Sequence, residues 1–322
     1  MTDDAGLRTP GTGARPAPAT AGDDTGSSAA TLMRRATYAS IATAGVLIAV
    51  KFAAAVLTGS VSLLSTLLDS LLDAAASLLN LFAVVQALVP ADREHRFGHG
   101  KVEALAGLGQ AAFIAGSAMF LFFEVIDRLT DPQPIAHTNL AIGVLVFSIV
   151  ATLLLVRYQR YVVRRTNSLA IRSDSSHYLG DLVVNAAVIV AILLTSQLGW
   201  LYADPLIAAG VGAYILYMAW GITKDALDML MDRELPDADR ERIKALARQD
   251  PRVLSVHDLK TRMAGRQHFI QLHLEMDGRL SLDQAHAISA AVEQRLHEAF
   301  PESEVIIHQD PAGIEEPRQT FV

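Results

Sequence analysis

The chain has 322 residues, of which 51% are hydrophobic and 19% charged, and its mean hydropathy is +0.30. That is too apolar for an ordinary soluble protein of this length, and the apolar residues fall in long blocks, as membrane spans do. The formal net charge of −7 argues against a nucleic-acid partner, and the lack of cysteine excludes disulfides and thiolate ligands, so any metal must use His, Asp and Glu.

Residues 1–31 are rich in Ala, Gly, Thr, Pro and Asp, the composition of a disordered tail, and lack the basic start and apolar core of a signal peptide. Six apolar segments follow, at about 36–57, 61–89, 102–128, 138–156, 169–197 and 203–222. They predict an all-α, six-helix transmembrane domain over 32–231, embedded in a lipid bilayer, with "TGS" as a tight turn between the first two. Arg34 and Arg35, then Arg93, Arg96 and Lys101, then Arg157, Arg160, Arg164 and Arg165 fall on one side, and Arg128 on the other. The positive-inside rule therefore expects both termini in the cytoplasm. Lys51, inside the first span, has two options, to snorkel or to pair.

From Asp232 the chain becomes charged and amphipathic. Residues 237–249 read as a helix, "SVHDLKTRM" and "QHFIQLHLEMD" as strands about an "AGR" turn, 281–300 as a helix behind "SLDQ", and "SEVIIHQD" as a last strand. The order αββαβ predicts a small α+β domain over 232–311, one antiparallel sheet with helices on one face, before a tail at 312–322.

The second span contains "LLDSLLDAAASLLN", with Asp69 and Asp73 at i and i+4 on one helix face. An Asp at mid-membrane costs about 2.5–3.5 kcal/mol, and two within reach repel each other unless a cation or proton lies between them. The fifth span answers with "SDSSHYLGDLVVN", where His177 and Asp181 share a face at the same spacing. Two helices packed on those faces present three carboxylates and one imidazole, a set suited to tetrahedral Zn²⁺ and less tightly to Fe²⁺, Cd²⁺ or Mn²⁺. Small Ala74, Ala75, Ala76 and Ser77 would let a neighbouring helix approach closely.

The loop "ADREHRFGHGK" holds Asp92, His95 and His99, which read either as a solvated polar loop or as ligands gathered by turns at Gly98 and Gly100. Six of the ten His lie in the charged C-terminal region. His257 and His273 fall on adjacent predicted strands, His286 on the second helix, and His308 and Asp310 on the last strand. Alternation assigns Ile270, Leu272, Leu274 and Met276 to the core, so His273 points away from it. His268 and His297 fit no constellation.

Together these motifs, with "RFGHGKVEALA", "HDLKTR" and "FIQLHLEM…AH…VIIHQD", resemble the cation diffusion facilitator family, in particular its bacterial zinc and ferrous-iron efflux branch. The resemblance covers about 32–311. It implies a homodimer with six transmembrane helices and a cytoplasmic metallochaperone/ferredoxin-like domain, in the bacterial inner membrane. It implies a transport site at Asp69, Asp73, His177 and Asp181, and a loop site at Asp92, His95 and His99. A cytoplasmic binuclear site would comprise His257, His273, His286, His308 and Asp310, with Asp310 bridging. Lys101 and Asp232 match the family's salt-bridge network between domains.

The expected activity is Zn²⁺ efflux coupled to protons by alternating access, with Fe²⁺ and Cd²⁺ as further cargoes, because metal binding displaces protons from His and carboxylates. No H-E-x-x-H motif supports a metalloenzyme. A non-transporting metal sensor is the alternative, although a sensor needs no midplane site.

Overall fold

The computed structural model describes residues 22–58, 61–130, 139–198 and 202–314. Gly59 and Ser60 of the expected turn, and His137, lie outside the described residues.

Six long helices come first: α1 (Gly22–Thr58), α2 (Val61–Ala87), α3 (Val102–Thr130), α4 (Asn139–Thr166), α5 (Leu169–Leu198) and α6 (Ala203–Leu230). Five of them, all but α5, are long and apolar enough to cross a membrane. α5 has 30 residues, about 45 Å of helix, and carries Arg172, Asp174 and Asp181 in its first half. α3 packs along α6, α1 along α2, and α4 against both α5 and α1.

Helix limits extend past the apolar segments. α4 continues beyond residue 156 to Thr166, through four arginines, and α6 beyond residue 222 to Leu230. α1 starts at Gly22, within the stretch whose composition suggested a tail. The reason is common to all three: polar composition argues against burial in lipid, and it does not forbid helix. Between α4 and α5 the chain turns at Asn167, with φ +51°. Ser168 Oγ then accepts from the Ile171 amide at 3.3 Å, an N-cap that starts α5. Buried Glu103 of α3 adds to it, accepting from Ser168 Oγ at 2.6 Å and from the Ala170 amide at 3.2 Å. The start of α5 is thereby fixed to α3.

The remaining elements are α7 (Asp237–Ala247), β1 (Ser255–Ala264), β2 (Gln267–Met276), α8 (Leu282–Ala299) and β3 (Ser303–Pro311). α8 begins at the expected "SLDQ", where Ser281 and Gln284 form a reciprocal capping box. Ile270, Leu272, Leu274 and Met276 are buried with Ile288, Val292 and Leu296 of α8 and Ile243 of α7. The α+β fold class is as expected, but the sheet is mixed. β1 and β2 are antiparallel, whereas β2 and β3 run parallel. α8 is a crossover connection, and a crossover returns the chain in the same direction.

Candidate metal sites

In the bundle, Asp73 of α2 and His177 and Asp181 of α5 each offer one donor atom, all within 4.8 Å of one another. His177 Nε2 is 3.0 Å from Asp73 Oδ1 and 3.9 Å from Asp181 Oδ2. A tetrahedral first-row ion with bonds of about 2.0–2.1 Å needs donors about 3.3 Å apart, so small side-chain adjustments complete the grouping. Asp69 lies one helical turn from Asp73 and is exposed, outside this three-donor group. The two helices meet at Asp73–His177 and at Ser77–Tyr178, whereas Asp69 sits beyond those contacts, towards the start of α2. Lys51 takes the pairing option: its Nζ donates to Ser70 Oγ at 2.7 Å, beside Asp69, joining α1 to α2.

Asp174 is missing from the sequence-derived set, yet it is fully buried, three residues before His177 on α5. Its i, i+3 spacing places it near the face of His177, which alone does not set it apart from the other polar residues of "SDSSH".

The second group is the α2–α3 loop. Asp92 Oδ1 accepts from the amides of Glu94 at 2.9 Å and His95 at 2.6 Å. The His95 amide holds the Asp92 carboxyl below its ordinary pKa, against a small desolvation cost. His95 Nδ1 and His99 Nε2 lie 3.4 and 3.5 Å from Asp92, and the two rings are 4.6 Å apart. The loop is docked on the C-terminal α+β domain. Gly100 sits against the Gly265 turn, where an added Cβ would lie 2.1 Å from the Ala264 carbonyl oxygen. Arg262 stacks on Phe97 and Phe269, 5.0 and 4.2 Å from their centroids. Phe269 is therefore buried although it lies off the core face. Lys101 Nζ and Arg262 Nη1 reach Asp232 Oδ1 at 2.9 and 3.2 Å. Desolvation pushes the Asp232 carboxyl up, but hydrogen bonds from Lys101 and Arg262 outweigh it and hold the group below its usual range.

The third group lies on the sheet. Strand register pairs His257 with His273 and His273 with His308, so three imidazoles form one row across β1, β2 and β3. Asp310, two residues beyond His308 on the same face, gathers them: His257 Nε2 at 3.1 Å, His273 Nδ1 at 2.9 Å and His308 Nε2 at 3.1 Å. Two overlapping donor groups result, His257 with Asp258 and His273, and His273 with His308 and Asp310. Asp258 was not foreseen. It sits at an irregularity between His257 and Lys260 with φ +46°, and strand alternation carries no signal for such a bulge. His286 belongs to neither group: it is exposed on α8, which packs on the opposite, core face of the sheet. His268 is half-buried beside Phe300, and its burial lowers the imidazole pKa.

Comparison with known proteins decides the family. The cation efflux transmembrane domain matches residues 37–231, and the cytoplasmic domain of cation efflux proteins matches residues 235–312. This chain belongs to the cation efflux family. The resemblance to cation diffusion facilitators is thus borne out, and the protein is a multi-pass membrane protein. This cation efflux protein is 48% identical over 283 residues to the cation-efflux pumps FieF of Salmonella choleraesuis (strain SC-B67) and Salmonella typhimurium (strain LT2), covering 88% of this chain and 94% of each relative. Among solved structures, the metal-bound C-terminal domain of the CzcD transporter from Thermotoga maritima is 26% identical, covering 26% of this chain and 100% of that one, with a TM-score of 0.24.

Proposed function

We propose that this cation efflux protein exports a divalent metal from the cytoplasm in exchange for protons. The observation that carries the reading is the Asp73–His177–Asp181 group, built from two helices inside the bundle. Lipid gives such groups no reason to be there, and a cation gives them one. The same three residues bind either a metal or protons, so loading and release become one competition. His177 is the best coupling group, because its imidazole must be neutral to bind a metal and can hold a proton once the metal has left. Asp69, one turn away, completes a four-ligand set when its side chain swings inward. Zn²⁺ is the first cargo by this donor chemistry, with Fe²⁺ and Cd²⁺ next, because three oxygens and one nitrogen discriminate weakly.

The soluble domain, placed in the cytoplasm with both termini, binds metal at the Asp310 row and the Asp92 loop. His286 can join such a site from a second copy, which favours a homodimer whose contact tightens with metal. The bacterial inner membrane is the expected location. The experiment is flux of Zn²⁺ into vesicles loaded with a metal-sensitive dye, under an imposed pH step. Wild type should fill the vesicles and Asp73→Ala should not. Equal rates would overturn the site assignment. A non-transporting sensor rests on the soluble-domain groups alone, and wild-type vesicles that bind but never fill would establish it.

A further inference from the structure

One buried carboxylate has no part in the site just described. Asp174 lies on the soluble-domain side of His177, fully enclosed, and its neighbours come from separate helices. Asp174 Oδ2 accepts from Ser40 Oγ of α1 at 2.8 Å and from Gln159 Nε2 of α4 at 2.6 Å. Asp174 Oδ1 accepts from Gln110 Nε2 of α3 at 3.3 Å. Ser40 Oγ is also 2.9 Å from Ser77 Oγ of α2, which in turn is 2.9 Å from Tyr178 Oη of α5. Five helices therefore converge on one hydrogen-bonded knot, and Ser40, Gln110, Gln159, Ser77 and Tyr178 are all buried.

Exposure along the two metal-binding helices has a direction. On α5 it rises from buried Asp174 through His177, whose side chain is 6% exposed, to Asp181 at 34%. On α2 it rises from buried Ser77 through Asp73 at 20% to exposed Asp69. The donor group is thus more exposed on the side away from the soluble domain and buried on the side towards it.

We infer that Asp174 is the latch of the domain-side gate. By holding α1, α3 and α4 against α5, it closes the route between the soluble-domain end and the Asp73–His177–Asp181 group, and its hydrogen bonds must part before a cation enters from that end. This rests on the transport reading above. A buried carboxylate held by several donors forms a cooperative network: fully satisfied it is rigid, and losing one partner weakens the rest. The surroundings suit such a change. Both side-chain polar atoms of Asn80, and the Oε1 atoms of Gln110 and Gln159, are buried without a hydrogen-bond partner in this conformation. Asn80 follows Ser77 by three residues on α2, on the domain side of the knot. These amides have unspent hydrogen-bonding capacity that water or a hydrated cation would satisfy once the latch opens.

The chain has no cysteine, so one introduced thiol reports alone. Asp69→Cys places it on the far side of the latch from the soluble domain, at an exposed residue outside the three-donor group. Full-length protein in inverted membrane vesicles, soluble domain towards the bath, would be treated with a small impermeant methanethiosulfonate cation. With Asp174 intact, labelling should be slow. Asp174→Asn turns an acceptor-only group partly into a donor facing donors, and should raise the rate at least tenfold. Ser40→Ala removes one donor and should raise it by a smaller factor, which keeps the test decisive if the Asn variant fails to fold. Unchanged labelling in a variant that elutes as monodisperse protein would overturn the latch. Labelling does not read flux: if the variants label as expected while wild-type vesicles move no Zn²⁺, the transport reading fails and the latch stands.

Discussion

Asp73 Oδ1 and His177 Nε2 lie 3.0 Å apart and join α2 to α5 inside the helical bundle. The contact binds the two halves of the donor group through side chains of opposite charge preference. Removing either leaves the other without its nearest partner.

Replacing Asp73 or His177 by Ala removes one donor of the three-donor group. Losing even an outer partner of a metal ligand costs about 10–100-fold in affinity, so losing a ligand itself should cost at least tenfold. Zn²⁺ binding measured by calorimetry in detergent should weaken at least tenfold for each, with vesicle flux falling in parallel. Asp69→Ala should cost less affinity, because Asp69 stands outside the three-donor group.

Docking of the α2–α3 loop depends on a backbone contact that only glycine allows. A Cβ at Gly100 would lie 2.1 Å from the Ala264 carbonyl oxygen, so backbone must move to admit Ala. Gly100→Ala should destabilise the junction by about 1–3 kcal/mol, as overpacking does. Hydrogen exchange of the amides at 92–101 should rise in the variant while that of the helix interiors stays unchanged.

Arg262 should be irreplaceable by Lys at the same junction. The guanidinium lies 4.2 Å from the Phe269 centroid and 5.0 Å from that of Phe97, while also reaching Asp232 at 3.2 Å. Lys retains the charge but not the planar stacking face. Arg262→Lys should lose about 0.5–1 kcal/mol of the contact and Arg262→Ala more. Protection of the loop against limited proteolysis should fall in the order wild type, Lys, Ala.

The C-terminal α+β domain has an acid-sensitive ion pair that should show in its melting. The Arg252 side chain, chiefly by hydrogen bonding, draws Asp250 down to about 2 against some desolvation, and Arg295 adds attraction from α8. A lowered carboxyl contributes stability above its unfolded pKa of about 3.9, and that contribution is lost as pH falls through the folded value. The melting temperature of Asp250→Asn should lie below that of wild type at pH 7. The gap should narrow progressively between pH 4 and pH 2.

Much of this arrangement is legible in the residue order, for identifiable physical reasons. Apolar blocks set the six helices, and alternation correctly turned Ile270, Leu272 and Leu274 inward and His273 outward. Helical spacing placed Asp73, His177 and Asp181 on facing surfaces. Legibility fails where three-dimensional context decides. Asp174 looks like one more polar residue in "SDSSH" until Ser40, Gln110 and Gln159 arrive from three other helices. Asp258 joins a donor group through a strand irregularity that no periodicity encodes. The outward position of Asp69 depends on where α2 and α5 part, which neither helix specifies alone.

His286 separates a one-chain metal site from a shared one. Asp310 already gathers His257, His273 and His308 at 2.9–3.1 Å, so one chain builds the row by itself. His286 lies on α8, behind the sheet, and cannot reach that row without unfolding the domain core. Asp310→Ala should therefore abolish Zn²⁺ binding at the row, because it removes the carboxylate all three imidazoles face. His286→Ala should leave first-metal binding intact and weaken only metal-dependent association of two chains. Sedimentation of the full-length protein with graded Zn²⁺ distinguishes these outcomes. If His286→Ala leaves that association unchanged, the residue is not a ligand supplied by a second copy.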